Sequence, residues 1–304
     1  MTIRRVLRSI GVALLAAGVL VMLFVAYELW GTGLTTNSHQ NALRSQFDQE
    51  LRAHHVSPTV PTTVPKGSGS TTTTTQPISK VQPVAPPAAP GEPIGIINIP
   101  KININYVAVQ GTDEADLERG PGHYSNTSLP GNPGNAAFAG HRTTYAAPFY
   151  NLDQLAPGDP IFVTTTQGKF QYNVTQVLVV DPTDVAVLDD TPTPTLTLTT
   201  CNPRYSAATR MVVKASLVSP VVAAAAVSKP RSRSGGTSAE LLNSSGSWGG
   251  AVWWGLGCAA FALAVLLVHR RFRHWWVYLI GAAGFLVLLF YFFGQLNPLL
   301  PAGY

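Results

Sequence analysis

Three stretches of the chain are apolar without a single charge: Ile10 to Tyr27, Trp248 to Val268 and Trp275 to Phe293. Each is close to the roughly 20 residues that carry a helix across a bilayer. Between the first and second the pattern changes. Short runs rich in β-branched and aromatic residues, bounded by Gly, Pro, Asn and Asp, predict strands at Ile94-Ile99, Ile104-Val109, Asn135-Ala139, Pro160-Thr166, Phe170-Val180, Thr195-Thr200 and Met211-Val218. Seven or eight short strands in about 125 residues favour an all-β sandwich or barrel. Asp113 to Arg119 predicts one short helix and Phe149 to Leu155 a helical turn. Asn41 to His55 predicts a short amphipathic helix, with Leu43, Phe47 and Leu51 spaced by four, too short to stand alone.

The charges orient the apolar segments. Arg4, Arg5 and Arg8 precede the first, and Arg270, Arg271 and Arg273 fill the loop between the second and third. Placing both clusters in the cytoplasm puts the central domain and the C-terminus outside. A cleaved signal peptide would share the basic start, but Glu28-Leu-Trp30 is a poor cleavage site. No ionisable residue interrupts the last two segments, which argues against a transport path. The organisation expected is a cytoplasmic N-terminus and anchor over 1–30, an extracellular stalk over 31–92, a catalytic domain over 93–220 and a linker over 221–247. A helical hairpin over 248–293 and a short extracellular tail over 294–304 complete it.

From Pro58 to Pro93 the chain is rich in Thr, Pro, Ser and Gly and cannot bury a core. Extended, it would hold the domain on the order of 100 Å from the membrane. Ser228 to Ser247 reads as a second linker. The net charge of +5 over 304 residues is small, its basic residues flank the apolar segments, and no basic-aromatic stripe crosses the central domain. That excludes a nucleic-acid surface. The Cys and His spacings match no zinc pattern, and Asp113, Glu114, Asp116 and Glu118 lack a calcium-loop arrangement. No metal or cofactor is expected.

Of the two cysteines, Cys258 lies in an apolar segment, so Cys201 is the only thiol in the central domain. It closes the run Thr195-Leu-Thr-Leu-Thr-Thr-Cys201; a lone thiol outside the cell is a liability unless used, although free Cys is also a common core residue. His141 follows a short strand and Gly140. His123, in Gly-Pro-Gly-His-Tyr124, reads as a loop residue near the groove and an understudy base. Arg210 opens the strand after Cys201 and competes with Arg142 and Arg204. Thiol, imidazole and guanidinium at strand ends suit acyl transfer: nucleophile, proton carrier and oxyanion partner. No carboxylate stands in an obvious position to orient the His.

Thr197-Leu-Thr-Thr-Cys201, Gly140-His141 and Arg210 resemble the active-site signature of sortases. Ile99-Pro-Lys-Ile102, Gly120-Pro-Gly-His-Tyr124, Leu129-Pro-Gly-Asn-Pro-Gly-Asn135, Ala139-Gly-His-Arg-Thr-Thr-Tyr145 and Thr200-Cys-Asn-Pro-Arg-Tyr205 resemble its class E members. The resemblance covers roughly 93 to 218 and implies an eight-stranded closed β-barrel with its site at one end. It implies Cys201 as nucleophile, His141 as general acid and base, and Arg210 as stabiliser of the substrate carbonyl or oxyanion. Thr200, His123 and Tyr124 are expected to line the substrate. The reaction implied is cleavage of a Thr-Gly bond in a sorting signal of Leu-Ala-x-Thr-Gly or Leu-Pro-x-Thr-Gly type. The secreted protein then passes to a peptidoglycan-precursor amine. The enzyme is expected in the cell membrane, multi-pass, with its catalytic domain outside. A pilus-polymerising sortase and a non-catalytic surface scaffold are the alternatives. The Asp-Pro-aromatic lid segment of the former is absent, as is the Ser-His-Gly-Cys motif of L,D-transpeptidases.

Overall fold

The computed structural model describes residues 2–54, 88–220, 248–272, 274 and 276–296. Most of the expected stalk, the linker at Ser228 to Ser247 and the end of the C-terminal tail lie outside the described residues. Eight strands form a closed barrel: β1 (Pro93–Ile99), β2 (Ile104–Gln110), β3 (Gly122–His123), β4 (Asn135–Ala139), β5 (Pro160–Thr165), β6 (Gly168–Val180), β7 (Thr195–Asn202) and β8 (Thr209–Pro220). Their order around the barrel is β1-β2-β3-β4-β7-β8-β6-β5. The β2/β3 and β4/β7 pairs are parallel and the others antiparallel. Seven strands coincide with the sequence-predicted runs. β3 escaped because two residues carry no alternation. The helix α3 (Glu114–Leu117) and a 3-10 turn at Leu152–Gln154 stand within the two predicted helical stretches.

Alternation decides which side chains fill the barrel. On β7, Leu196 and Leu198 are fully buried and pack with Phe138 of β4, Val213 and Ala215 of β8, and Tyr172 of β6. Tyr172 brings a hydroxyl into this interior, and the Gly131 N–H donates to it at 2.7 Å. The polar tip is thereby satisfied while the ring contributes packing area.

Ahead of the barrel, α1 (Thr2–Ala26) runs through a π-helical turn at Tyr27–Gly31 into α2 (Thr32–Ala53). The segment expected to begin a stalk is therefore helical, and α2 packs on the barrel. Leu43, Phe47 and Leu51 bury against Ile96, Val107 and Val109. The same stripe continues upstream in polar residues: Thr32 and Thr36 are fully buried and Gln40 is 8% exposed. Gln40 Nε2 donates to the carbonyls of Val107 (2.8 Å) and Arg119 (2.7 Å), and its Oε1 accepts from Val107 N–H at 2.8 Å. β3 is too short to pair with Val107, so the Gln40 amide supplies the missing ladder partner. Tertiary contacts thus stabilise a helix that would be marginal alone.

In the hairpin α4 (Trp248–Phe272) and α5 (Trp276–Leu296), α5 is apolar all round and α4 is so up to its last turn, which carries His269, Arg270 and Arg271. Among the described residues, three helices are long and apolar enough to cross a membrane. α5 meets the end of α1 through ring pairs Phe24–Phe293 and Tyr27–Phe290, both with centroids 5.1 Å apart. The order of these pairs makes that crossing antiparallel.

Candidate active site

Strand register brings the three candidate residues together. β4 and β7 are paired in parallel as far as Ala139 with Thr199. Gly140 N–H then donates to Thr199 O at 3.1 Å. Carried two residues further, the same register puts His141 level with Cys201. On the other side of β7, Cys201 pairs directly with Arg210 of β8. Parity does the rest: Leu196, Leu198 and Met211 belong to the barrel core. Thr197, Thr199 and Cys201 therefore face outward with Arg210, because directly opposed residues share a face. The site is an outer face at one end of β4, β7 and β8.

Cys201 is partly buried. Burial pushes its thiol up, and the positive charges of Arg210 and Arg142 oppose that rise. Its backbone is held by Arg142, which is only 4% exposed. Arg142 Nη1 donates to Cys201 O at 3.2 Å and to Asn202 Oδ1 at 2.7 Å, while its Nη2 lies 3.5 Å from Asp153 Oδ2. Asp153 also accepts from Arg204 Nη2 at 3.0 Å, and the Arg204 guanidinium lies 4.3 Å from the centre of the Tyr150 ring. Sequence reasoning ranked Arg142 and Arg204 behind Arg210 and did not single out Asp153. The signal available was the adjacency of Arg142 to the candidate His141, which brings its guanidinium to the backbone of Cys201.

His141 is half-buried, and its Nε2 is a buried atom with no hydrogen-bond partner. Burial lowers its pKa to about 4, so the ring is neutral at pH 7. It lies against Tyr145, with centroids 4.8 Å apart. Tyr145, Ala146 and Ala147 have φ of 52°, 59° and 44°. Three consecutive left-handed residues with side chains cost on the order of 1–2 kcal/mol each. Several contacts hold this turn. Tyr145 N–H donates to Thr32 Oγ1 at 3.0 Å, its hydroxyl donates to Glu118 Oε1 at 2.9 Å, and Phe149 N–H donates to His141 O at 3.1 Å. Gly140 is needed at the start of the loop, where an added Cβ would lie 2.6 Å from Phe149 Cδ2.

Arg210 is partly exposed and donates through Nη1 to the carbonyls of Ala207 (3.0 Å) and Thr209 (3.3 Å). Those two bonds engage one nitrogen, and the guanidinium charge is near enough to Cys201 to lower its pKa. Tyr124 belongs to the same face. Its hydroxyl is 3.1 Å from Thr199 Oγ1, and burial raises its pKa while the Arg210 charge lowers it. Thr200 faces the other way: it is 3% exposed and its hydroxyl donates to Gly140 O at 2.7 Å, tying β7 to the His141 segment. His123 is 1% exposed. Its Nε2 donates to Ser128 O at 2.9 Å and its Nδ1 lies 3.1 Å from Gln110 Oε1, so no ring nitrogen is free.

The resting site at neutral pH thus holds a protonated thiol, a neutral imidazole with an unused Nε2, and a fixed guanidinium. That set offers a sulfur nucleophile, a proton acceptor and a cation to hold a negative oxygen. Among the described residues, no cluster of His, Cys, Asp and Glu is arranged to hold a metal ion.

Comparison with known proteins gives a consistent result. The family model described as Sortase domain matches residues 97–218. Sortase SrtE1 of Streptomyces coelicolor is 31% identical over 227 residues, 69% of this chain and 57% of that protein. Sortase D of Bacillus subtilis is 36% identical over 114 residues, 37% of this chain and 56% of that protein. The chain thus spans a little over half the length of these relatives. The crystal structure of Sortase E1 from Streptomyces coelicolor with a tripeptide in the active site is 34% identical, covering 43% of this chain and 91% of that one, with a TM-score of 0.41. The chain belongs to the sortase family.

Proposed function

We propose that this protein is a cysteine transpeptidase that cuts a Thr-Gly bond in the sorting signal of a secreted protein and joins that protein to an amine of a peptidoglycan precursor. The observation that carries the reading is the direct opposition of Cys201 and Arg210, with His141 two residues past the end of β4, the strand paired in parallel with β7. His141 Nε2 takes the thiol proton as Cys201 Sγ attacks the scissile carbonyl carbon. Arg210 holds the oxygen as it becomes negative. Collapse breaks the C–N bond, and His141 returns the proton to the leaving amine. The acyl group then rests on sulfur as a thioester. An incoming amine attacks it, His141 accepts the amine proton, and the thiolate leaves as an amide forms.

Tyr124 is assigned to the substrate face. Thr200 and His123 act through structure, the first by tying two strands and the second by filling the barrel wall. A Leu-Ala-x-Thr-Gly signal is the starting choice, from the class E resemblance. Neither pilus polymerisation nor a non-catalytic scaffold has an observation in its favour.

We place the protein in the cell membrane, multi-pass, with the barrel outside, on the distribution of Arg residues. A barrel between the first and second spans requires α1 and α5 to cross in the same sense. The antiparallel ring contacts between them must then be remade in a bilayer. The six Arg residues flanking the apolar segments set the orientation, and two ring pairs worth about 1 kcal/mol each do not override it.

The test is product analysis with the full chain in detergent micelles and a Leu-Ala-x-Thr-Gly peptide. An amine-dependent ligated product, absent from Cys201→Ala, is expected. Hydrolysis alone at every amine tried would make the protein a peptidase.

A further inference from the structure

We infer that α2 is a rigid strut that docks the catalytic mouth of the barrel at the lipid surface, so that the site serves substrates presented from within the bilayer. The inference rests on the membrane reading above and deepens it. Its basis is the path of one continuous helix. α1 passes into α2 through the π-helical turn with no break: Thr32 N–H bonds to Tyr27 O, and Thr32 Oγ1 donates to Glu28 O at 2.7 Å. Thr32 follows Ala26 by six residues, at most about 9 Å along a helix axis, and tilt only shortens that height.

What Thr32 touches is the catalytic loop. Its hydroxyl oxygen accepts from Tyr145 N–H, and Tyr145 lies against His141. One turn further, Thr36 Oγ1 donates to Glu118 O at 2.8 Å, beside the carboxylate that accepts from Tyr145. The end of α2 nearest the apolar segment therefore holds the reactive end of the barrel. Side chains around this junction suit an interface: Trp30 is 71% exposed and Leu34 67%, directly after the apolar run. Trp at that position matches the aromatic belt of spanning helices.

This placement replaces the expected stalk. Leu51, near the end of α2, packs against Ile96 of β1. The Thr/Pro-rich stretch lies in sequence between α2 and β1, so its length does not enter the distance from Ala26 to Thr32.

The test uses the full chain carrying Cys258→Ala, with a fluorescent donor on Cys201, in liposomes whose headgroups carry an acceptor. Loss of most donor emission is expected. A companion variant carries about twelve Gly and Ser residues between Trp30 and Gly31, a flexible insertion that frees the strut; it should recover much of that emission. Donor emission retained in the parent protein would overturn the inference, and so would equal quenching in both proteins.

Unlabelled proteins supply the second readout. The parent should ligate a sorting peptide coupled by a short tether to a lipid headgroup. The insertion variant should lose most of that ligation while keeping ligation of the same peptide in solution. Equal use of the tethered peptide by both would count against the strut. Emission is measured without turnover, so quenching without ligation would sink the transpeptidase reading and leave the docking intact. Ligation with an unquenched donor would do the reverse.

Discussion

Cys201 and Arg210 occupy directly opposed positions on β7 and β8, on the outer face of the barrel. The guanidinium lowers the thiol pKa against the burial that raises it. Arg210→Ala removes that cation, so the pH at which Cys201 becomes reactive moves upward. It also removes the proposed oxyanion partner, a loss on the order of 100- to 1,000-fold in kcat. A pH profile of acylation for the variant should show both a lower plateau and a later rise. Arg210→Lys should restore part of the pH shift but less of the plateau, because an ammonium lacks the planar fork. Unchanged kcat in Arg210→Ala would remove Arg210 from the mechanism.

Arg142 is a positioning residue whose bonds end on Cys201 O and Asn202 Oδ1. Arg142→Ala leaves two acceptors without their donor, at about 1–3 kcal/mol for each group left buried and unsatisfied. Thermal unfolding should shift down by several degrees, and the loss in kcat should exceed any change in KM. Asp153→Asn should be milder in both, since that side chain is 36% exposed. Equal effects of the two variants would place the function of this network elsewhere.

Gly140 tests the packing beneath His141. A Cβ there would press on Phe149, and overpacking of this kind costs about 1–3 kcal/mol. Gly140→Ala should fold, with reduced stability, and lose activity more than stability because the displaced segment carries His141. Full activity in Gly140→Ala would show that the His141 loop tolerates movement.

His123 makes the barrel sensitive to acid. Burial lowers its pKa to about 4, while an unfolded His titrates near 6.5. The unfolded chain therefore binds more protons between those values, and stability falls as pH drops through about 6.5 to 4. For one fully buried ring the loss approaches ~3 kcal/mol. His141, also lowered, adds to it in the same direction. Urea unfolding at a series of pH values should show this fall, and His123→Gln should flatten part of it. An identical pH dependence in that variant would contradict the assignment.

Much of this architecture was legible in the chain because burial is periodic. Six of the seven longer strands show up as β-branched runs and β4 as a short apolar run around Phe138, and Leu43, Phe47 and Leu51 announce the helix that docks on the barrel. The stripe continues through Gln40, Thr36 and Thr32, whose burial is satisfied by hydrogen bonds. Hydrophobic periodicity cannot see polar residues, so the expected helix starts nine residues late, at Asn41 instead of Thr32. Cys201, His141 and Arg210 were readable as types of chemistry near strand ends. Their common face was not, because it depends on the parallel pairing of β4 with β7 across a long separation. Arg142 reaches the backbone of Cys201 and Asp153 reaches Arg142, and neither residue type at that spacing announces such contacts. Thr200 and His123 were expected at the substrate and are instead turned inward, a matter of strand parity at the closing end of a barrel.

The central claim is that Cys201 carries the acyl group with help from His141 and Arg210. The most direct measurement is the intact mass of the full chain after mixing with a Leu-Ala-x-Thr-Gly peptide and quenching in acid. An added mass equal to the peptide up to Thr is expected, mapped to Cys201 and discharged by an added amine. Much less adduct is expected in His141→Ala and Arg210→Ala. An amine-dependent ligated product formed with no adduct on Cys201, or formed equally well by Cys201→Ala, would contradict the claim.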